Sequence, residues 1–301
     1  MSRIFDHHPQ RLRRSVLSVP AINPRALAKA PGLSCDAVIY DLEDSVAIEG
    51  KREARAALAA HFASTPKGPQ ERIIRINEMG SEAAAADLAL MAECRPDAVL
   101  LPKVESPGTV QAAADWLAEN DLGDTLRLWA MIETPRGVLN AGAIAEAGRT
   151  FGGGLDCLVV GLNDLRKETR VRPLPGRTYL VPWLMQVLLA ARGSGLDAID
   201  AVFNAHTDKD GFEADCRQGA EMGFDGKMLI HPDQIAPANR HFGVDPQRLA
   251  EAQAIVSAFA LPENAGKAVI DLAGRMVERL HLEEATATAA RAAMAARKDM
   301  P

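Results

Sequence analysis

The chain lacks the features that would commit it to several common functions. Its 301 residues hold four cysteines, Cys35, Cys94, Cys157 and Cys216, far apart and with no C-x-x-C pair. That spacing excludes the usual zinc and iron–sulfur arrangements and a dithiol redox motif. No stretch approaches the roughly 18 to 20 apolar residues of a membrane span. The basic start, MSRIFDHHPQRLRRS, leads into no apolar segment, so it does not read as a secretory signal, and His7 and His8 within it need no function. No G-x-G-x-x-G follows the first predicted strand and no P-loop occurs anywhere. A formal net charge of -6 offers no basic field for nucleic acid or an anionic membrane, so an anionic ligand must be held by local basic residues. These absences predict a reducing, cytoplasmic setting.

With 48% hydrophobic and 25% charged residues, the composition is that of a globular protein able to bury a core. Short apolar runs ending in turn residues recur along it: 15–20, 37–41, 73–77, 98–102, 126–132, 157–161, 198–203 and 226–230. Their starts lie 22 to 41 residues apart, room for a strand, a helix and two loops. Alanine-rich stretches such as 52–63, 82–94, 109–119 and 183–192 supply the helices. Eight strands apolar on both faces predict a parallel sheet covered on both sides. Eight is also the number that closes a (β/α)8 TIM barrel of about 250 residues. A doubly wound open sheet is the alternative. The predicted barrel domain spans residues 12–240. Residues 241–301 are left over as a C-terminal helical arm, beginning with a helix over 246–260.

In such barrels the active site forms at the C-terminal ends of the strands, and those ends are unusually polar here. The segment LWAMIETPRG (128–137) shows it best: an apolar run stops at Glu133, with a proline and a glycine just beyond. The second strand ends in Asp41, followed by Glu43 and Asp44. The third carries Arg75 and Asn77, the fourth ends beside Lys103, and the sixth is followed by Asn163 and Asp164. Glu133 and Asp164 stand 31 residues apart, about one βα unit, so they should face one cavity from neighbouring strands. Two such carboxylates suit magnesium, which takes one or two protein carboxylates and completes its shell with water and substrate oxygens. A cation also relieves their mutual repulsion. Either carboxylate alone would equally serve as a helix N-cap.

Arg75 lies within an apolar run, where an unpaired guanidinium is costly, so an acid of the second or fifth strand should pair with it. It suits a substrate carbonyl or enolate oxygen, or else a structural ion pair. A lysine at Lys103 could form a Schiff base, but Glu105 offers a partner and a supporting role is preferred. His231 and Lys227 read as caps or ion pairs.

Seven segments in order, R-R-S-V-L-S-V-P (13–20), Y-D-L-E-D-S-V (40–46), I-R-I-N (74–77), L-P-K (101–103), M-I-E-T-P-R-G (131–137), G-L-N-D-L (161–165) and G-K-M-L-I-H-P (226–232), resemble the citrate lyase beta-subunit-like proteins. That group includes malyl-CoA and citramalyl-CoA lyases, beside the divalent-metal hydroxy-keto-acid aldolases. The resemblance runs from about residue 12 to about residue 280. It implies magnesium, or manganese in its place, on Glu133 and Asp164, and substrate contact through Arg75. It also implies that Arg14 holds coenzyme A phosphates, with Lys51 a weaker candidate, and that Asp41, Glu43 and Asp44 hydrogen-bond the metal's waters. It implies a homotrimer or dimer of trimers in which the arm of one subunit covers its neighbour's site. The chain has Ala21 where the group usually has glycine, Asn163 where glutamate is frequent, and Glu278 where an aspartate serves as trans acid or base. That longer side chain would move a proton-transfer group by about 1 Å.

The expected reaction is reversible carbon–carbon cleavage of a 3-hydroxyacyl-CoA thioester, such as malyl-, citramalyl- or citryl-CoA, into an acyl thioester and a 2-oxo acid. The catalytic residues are expected to be Arg75 and Glu278, with Lys103 in support. Alternatives are a metal-dependent hydroxy-keto-acid aldolase without coenzyme A, and a thioester-binding subunit without turnover.

Overall fold

The computed structural model describes residues 11–149 and 153–299; the first ten residues, with His7 and His8, lie outside the described residues. Eight parallel strands close into a barrel in chain order: β1 (Ser15–Pro20), β2 (Ala37–Asp41), β3 (Glu71–Arg75), β4 (Ala98–Leu101), β5 (Arg127–Ile132), β6 (Leu155–Val160), β7 (Asp197–Asp200) and β8 (Gly226–Leu229). Strand β8 returns to pair with β1. Helices between the strands complete a (β/α)8 barrel, among them Lys51–Ser64, Glu82–Cys94, Pro107–Glu119, Val181–Ser194 and Lys209–Met222.

The strands read as continuous apolar runs because alternate residues serve two cores. Val16, Ile39, Ile73, Leu100, Trp129 and Val159 fill the barrel interior. Their neighbours Leu17, Val38, Ile74, Val99 and Leu158 face the helices. All four cysteines are buried, and none forms a disulfide. At the N-terminal end Arg13 closes the barrel, lying 4.7 Å over the Trp129 ring and donating to Glu71 and Asp197 at 2.8 Å each. Closure of β8 onto β1 requires Gly226, since a Cβ there would lie 1.7 Å from the Arg13 carbonyl oxygen.

Two strands end two or more residues before their apolar runs do. Strand β3 stops at Arg75 and β7 at Asp200. Asn77 has left the ladder: its N–H and Nδ2 donate to Asp87 Oδ2 at 2.8 and 2.6 Å, and Nδ2 also reaches the Leu42 carbonyl at 3.1 Å. Side-chain acceptors take over where the sheet hydrogen bonds end.

The chain divides into two compact units, up to Phe242 and from Gly243. The second contains helices Pro246–Ala260 and Arg279–Lys298, which pack together. Between them the expected helical continuation is replaced by an antiparallel hairpin, β9 (Val269–Leu272) and β10 (Arg275–Glu278). Its residues alternate with a period of two, burying Ile270 and Val277. No helix among the described residues is long and apolar enough to cross a membrane.

The hairpin turn is Ala273-Gly274, with φ of 54° and 80°. Two left-handed residues define the tight turn that matches strand twist, and asparagine or glycine suits its first position better than alanine. Ala273→Asn should therefore stabilise the hairpin by about 0.5–1 kcal/mol, seen as slower hydrogen exchange at the amides of Ile270 and Val277.

Candidate active site

The barrel mouth is a cavity of about 340 Å³ whose walls include Asp41, Asp44, Arg75, Glu133, Gly161 and Asp164. Its centre is a buried ion pair. Arg75 Nε and Nη2 donate to the two carboxylate oxygens of Asp41, both at 2.6 Å. The strand pairing that sets Asp41 beside Arg75 makes this bidentate contact possible. Asp41 also accepts the N–H groups of Glu43 and Ser45, at 2.9 and 3.2 Å, so it folds the D-L-E-D turn around itself. Burial opposes ionisation of Asp41, but the guanidinium holds its carboxyl below the usual range. The Arg75 Nη1 is left to face Glu43 at 3.2 Å and the mouth.

Glu133 is buried too, at 3% exposure. Burial pushes its carboxyl up to about 8, with Glu43 and Asp164 adding repulsion and the Lys103 N–H and Arg75 opposing it. Its Oε1 accepts the Lys103 backbone N–H at 2.8 Å. Lys103 reaches that position with φ of 50°, a left-handed conformation uncommon outside glycine and typical of functional turns. The opposite side of Glu133 is bounded by Gly161, where a Cβ would stand 2.5 Å from Glu133 Cβ and 2.6 Å from its Oε2. Asp164 sits in the first turn of helix Leu162–Thr169 and lines the same cavity.

Among the described residues no group of three or more His, Cys, Asp or Glu is placed to enclose a metal. Glu133 and Asp164 nevertheless form a two-carboxylate donor set on a shared cavity, with glycine leaving room beside it. Such a set suits a hard divalent cation that keeps open positions for water and ligand. The upward shift of Glu133 comes first from burial, and the charges of Glu43 and Asp164 add to it.

The sequence profile of the HpcH/HpaI aldolase/citrate lyase family matches residues 14–232. The chain belongs to this family. It is 43% identical over 279 residues to a (3S)-malyl-CoA thioesterase of Cereibacter sphaeroides, covering 93% of this chain and 94% of the relative. It is 32% identical over 292 residues to human mitochondrial citramalyl-CoA lyase, covering 94% and 86%. The crystal structure of CitE from Mycobacterium tuberculosis with magnesium, acetoacetate and coenzyme A superposes with a TM-score of 0.74. That match has 31% identity and covers 93% of this chain and 97% of the other.

Several site residues sit elsewhere, or act otherwise, than a reading of this family chain's sequence predicts. Arg14 precedes β1, at the barrel end away from the mouth. It is buried, and its backbone N–H and Nε both donate to Asp36 Oδ2 at 2.8 Å. It braces β1 against β2 and does not meet a ligand at the mouth. Lys51 donates to the Leu42 and Glu43 carbonyls at 2.8 and 2.7 Å, so its ammonium holds the D-L-E-D turn instead of a phosphate. Lys103 pairs with Glu43, not with Glu105, which faces Arg136 at 3.6 Å. Burial works against the Lys103 charge, but Glu43 raises its pKa above the usual lysine value and favours the protonated ammonium over a nucleophilic amine. Lys227 is buried in ion pairs with Asp200 and Asp215, and His231 Nδ1 accepts the Asp233 N–H. Glu278 closes β10 in the second unit, its N–H donating to His281 Nδ1 at 3.0 Å.

A feature missed in the sequence lies beside the mouth. A groove of about 460 Å³ between the ends of β1 and β8 includes Asn23, Arg25, Lys29 and His231. Arg25 and Lys29 are exposed and have no carboxylate partner among the described residues. Their i,i+4 spacing in N-P-R-A-L-A-K, on the first helix after β1, was the available signal.

Glu133 ties stability to pH. Its folded-state value of about 8 lies above its usual 4.5, so between these values the native state keeps a proton that the unfolded chain releases. In EDTA, the melting temperature should therefore fall as pH rises from about 5 to about 8. Glu133→Gln should flatten that slope, and a slope unchanged by the substitution would place the titration elsewhere.

Proposed function

We propose that the protein is a divalent-metal-dependent carbon–carbon lyase acting on a 3-hydroxyacyl-CoA thioester. The observation that carries this reading is that Glu133 and Asp164 line one cavity with the clamped Arg75. Relatives named for malyl-CoA and citramalyl-CoA, and a similar structure containing magnesium and coenzyme A, support the substrate class.

Magnesium, or manganese, held by Glu133 and Asp164 would polarise the substrate's carboxylate and hydroxyl oxygens and neutralise charge there. Everything else falls to the chain. The Lys103 N–H fixes Glu133 from one side and Gly161 leaves its other side open. The coenzyme phosphates lie against Arg25 and Lys29 in the adjoining groove. A carboxylate takes the proton of the substrate hydroxyl, and the freed electron pair forms the new carbonyl of a 2-oxo acid. The adjacent carbon–carbon bond breaks, and its electrons pass to the thioester carbonyl, giving an enolate. Arg75 Nη1 faces that oxygen as a fixed cation, held in place because its other nitrogens are engaged by Asp41. Return of the proton to the enolate carbon completes the acyl thioester.

Two carboxylates are proposed for the proton: Asp44, whose side chain is 55% exposed at the rim, and Glu278 from a second copy of the chain. The latter requires an oligomer in which the C-terminal unit covers a neighbour's mouth. Thioester hydrolysis is the second reading, favoured by the thioesterase at 43% identity. There water is consumed, the carbon–sulfur bond breaks, and a free hydroxy acid and thiol leave.

The test is a panel of hydroxyacyl-CoA esters assayed with magnesium and with EDTA, following 2-oxo acid, free hydroxy acid and thiol separately. A 2-oxo acid product lost in EDTA is expected for the lyase; thiol with hydroxy acid alone supports hydrolysis instead. Cleavage of free hydroxy-keto acids, with no ester turned over, would sink the thioester reading. Arg75→Gln should lower kcat by about a hundredfold or more. Glu278→Ala and Asp44→Asn, compared for kcat, identify the proton carrier as the variant with the larger loss.

A further inference from the structure

We propose that a second cavity, beside the mouth at β6 and β7, receives the side chain of the acid half of the substrate, and that Arg166 there selects acids bearing a second carboxylate. The proposal rests on the thioester reading of the mouth and adds to it the class of acid.

The cavity measures about 560 Å³, against about 340 Å³ for the mouth, and the two share Leu162, Asn163, Val202 and Asn204 as walls. At the shared boundary the amides of Asn163 and Asn204 pair, Asn204 Nδ2 donating to Asn163 Oδ1 at 2.7 Å and Asn163 Nδ2 returning at 3.4 Å. This exposed pair of amides stands at the boundary between the two spaces. Pro173, Pro175, Leu180 and Phe203 make the far wall apolar.

The charges in this cavity are unequally matched. Arg177 and Asp215, at its floor, belong to a quartet with Asp200 and Lys227 in which two cations meet two carboxylates. Asp208 accepts the Gly211 N–H at 2.9 Å as the cap of the following helix. Arg166 has no ion-pair partner among the described residues, and its Nε is buried without a hydrogen-bond acceptor. It lies one helical turn from Asn163, so both look into the same space. A buried donor without a partner is costly in a finished structure, and a ligand carboxylate is the group that best satisfies a guanidinium.

The arrangement around the mouth gives the direction. The groove with Arg25 and Lys29 joins the mouth at Ser18, Pro20 and Ile230, on the β1 and β8 side. The second cavity joins it on the β6 and β7 side. A substrate whose phosphates occupy the groove has its acid end aimed at Asn163, Asn204 and Arg166. The acid that fits is a 2-oxo acid with a short apolar chain ending in a carboxylate.

The first measurement is made in the condensation direction, with magnesium and acetyl-CoA. The wild type should use 2-oxoglutarate over 2-oxopentanoate, which has a methyl group in place of the distal carboxylate, by about tenfold or more in kcat/KM. Arg166→Gln should bring that ratio close to one, and Arg166→Lys should keep part of it. A wild-type ratio near one, or a ratio that Arg166→Gln leaves in place, overturns the proposal. If no oxo acid is used at all, the lyase reading fails, and the cavity is read directly by titration calorimetry with glutarate in EDTA. Saturable binding, weakened about tenfold or more by Arg166→Gln, then supports the pocket. No binding, or binding indifferent to the substitution, overturns it.

Discussion

The mouth depends on one buried ion pair. Arg75 emerges buried from the inner face of β3, and it is tolerable there because Asp41 takes two of its nitrogens in a planar fork. Removing one partner of such a pair leaves an uncompensated buried charge and costs about 3–5 kcal/mol. Asp41 in turn gathers the N–H groups of the D-L-E-D turn, and Lys51 ties two carbonyls of the same turn from outside. Glu43 is thereby set against Lys103, and the Lys103 backbone against Glu133. A single chain of contacts runs from β3 through β2 and β4 to β5, each link holding the next carboxylate in place.

This explains why charges collect at one end of the barrel without destabilising it. Within the strands, alternate residues are committed to the interior or to the helices, so a charge there must be paired, as Lys227 is by Asp200 and Asp215. At the lower end the same problem is solved by compensation: Arg13 and Arg14 are matched by Glu71, Asp197 and Asp36. At the upper end compensation is incomplete. Glu133 remains poorly ionised, Arg75 keeps one nitrogen facing the cavity, and Arg25, Lys29 and Arg166 lack carboxylate partners among the described residues. Incomplete compensation in a cavity is the physical signature of a site awaiting ligand charge.

The chain's relatives include both a thioesterase and a lyase. Both activities begin with the same bound thioester and differ in which bond breaks. The outcome turns on where a proton-accepting carboxylate stands and whether water reaches the thioester carbon. Neither is a property of the barrel, which is why membership of the family leaves the reaction open while the fold and the mouth are common ground.

Strand positions, the closed barrel, the polar strand ends and the Glu133–Asp164 pair were all legible in the sequence, because each follows from local periodicity and a fixed βα spacing. The need of Arg75 for an acid was legible too, since burial of a lone guanidinium is forbidden in any fold. What only the tertiary structure decided was which side chain answers which. Arg14 sits one residue from β1 in the sequence, yet at the closed end of the barrel. Lys51 and Lys103 reach backbone and carboxylate atoms contributed by other turns. The hairpin of 269–278 replaced an expected helix because Ile270 and Val277 share one face only with a period of two. Arg25 and Arg166 drew no notice as sequence because ordinary helices carry many such residues. Their significance is an absence of partners, and absence is a property of three-dimensional surroundings that no local pattern encodes.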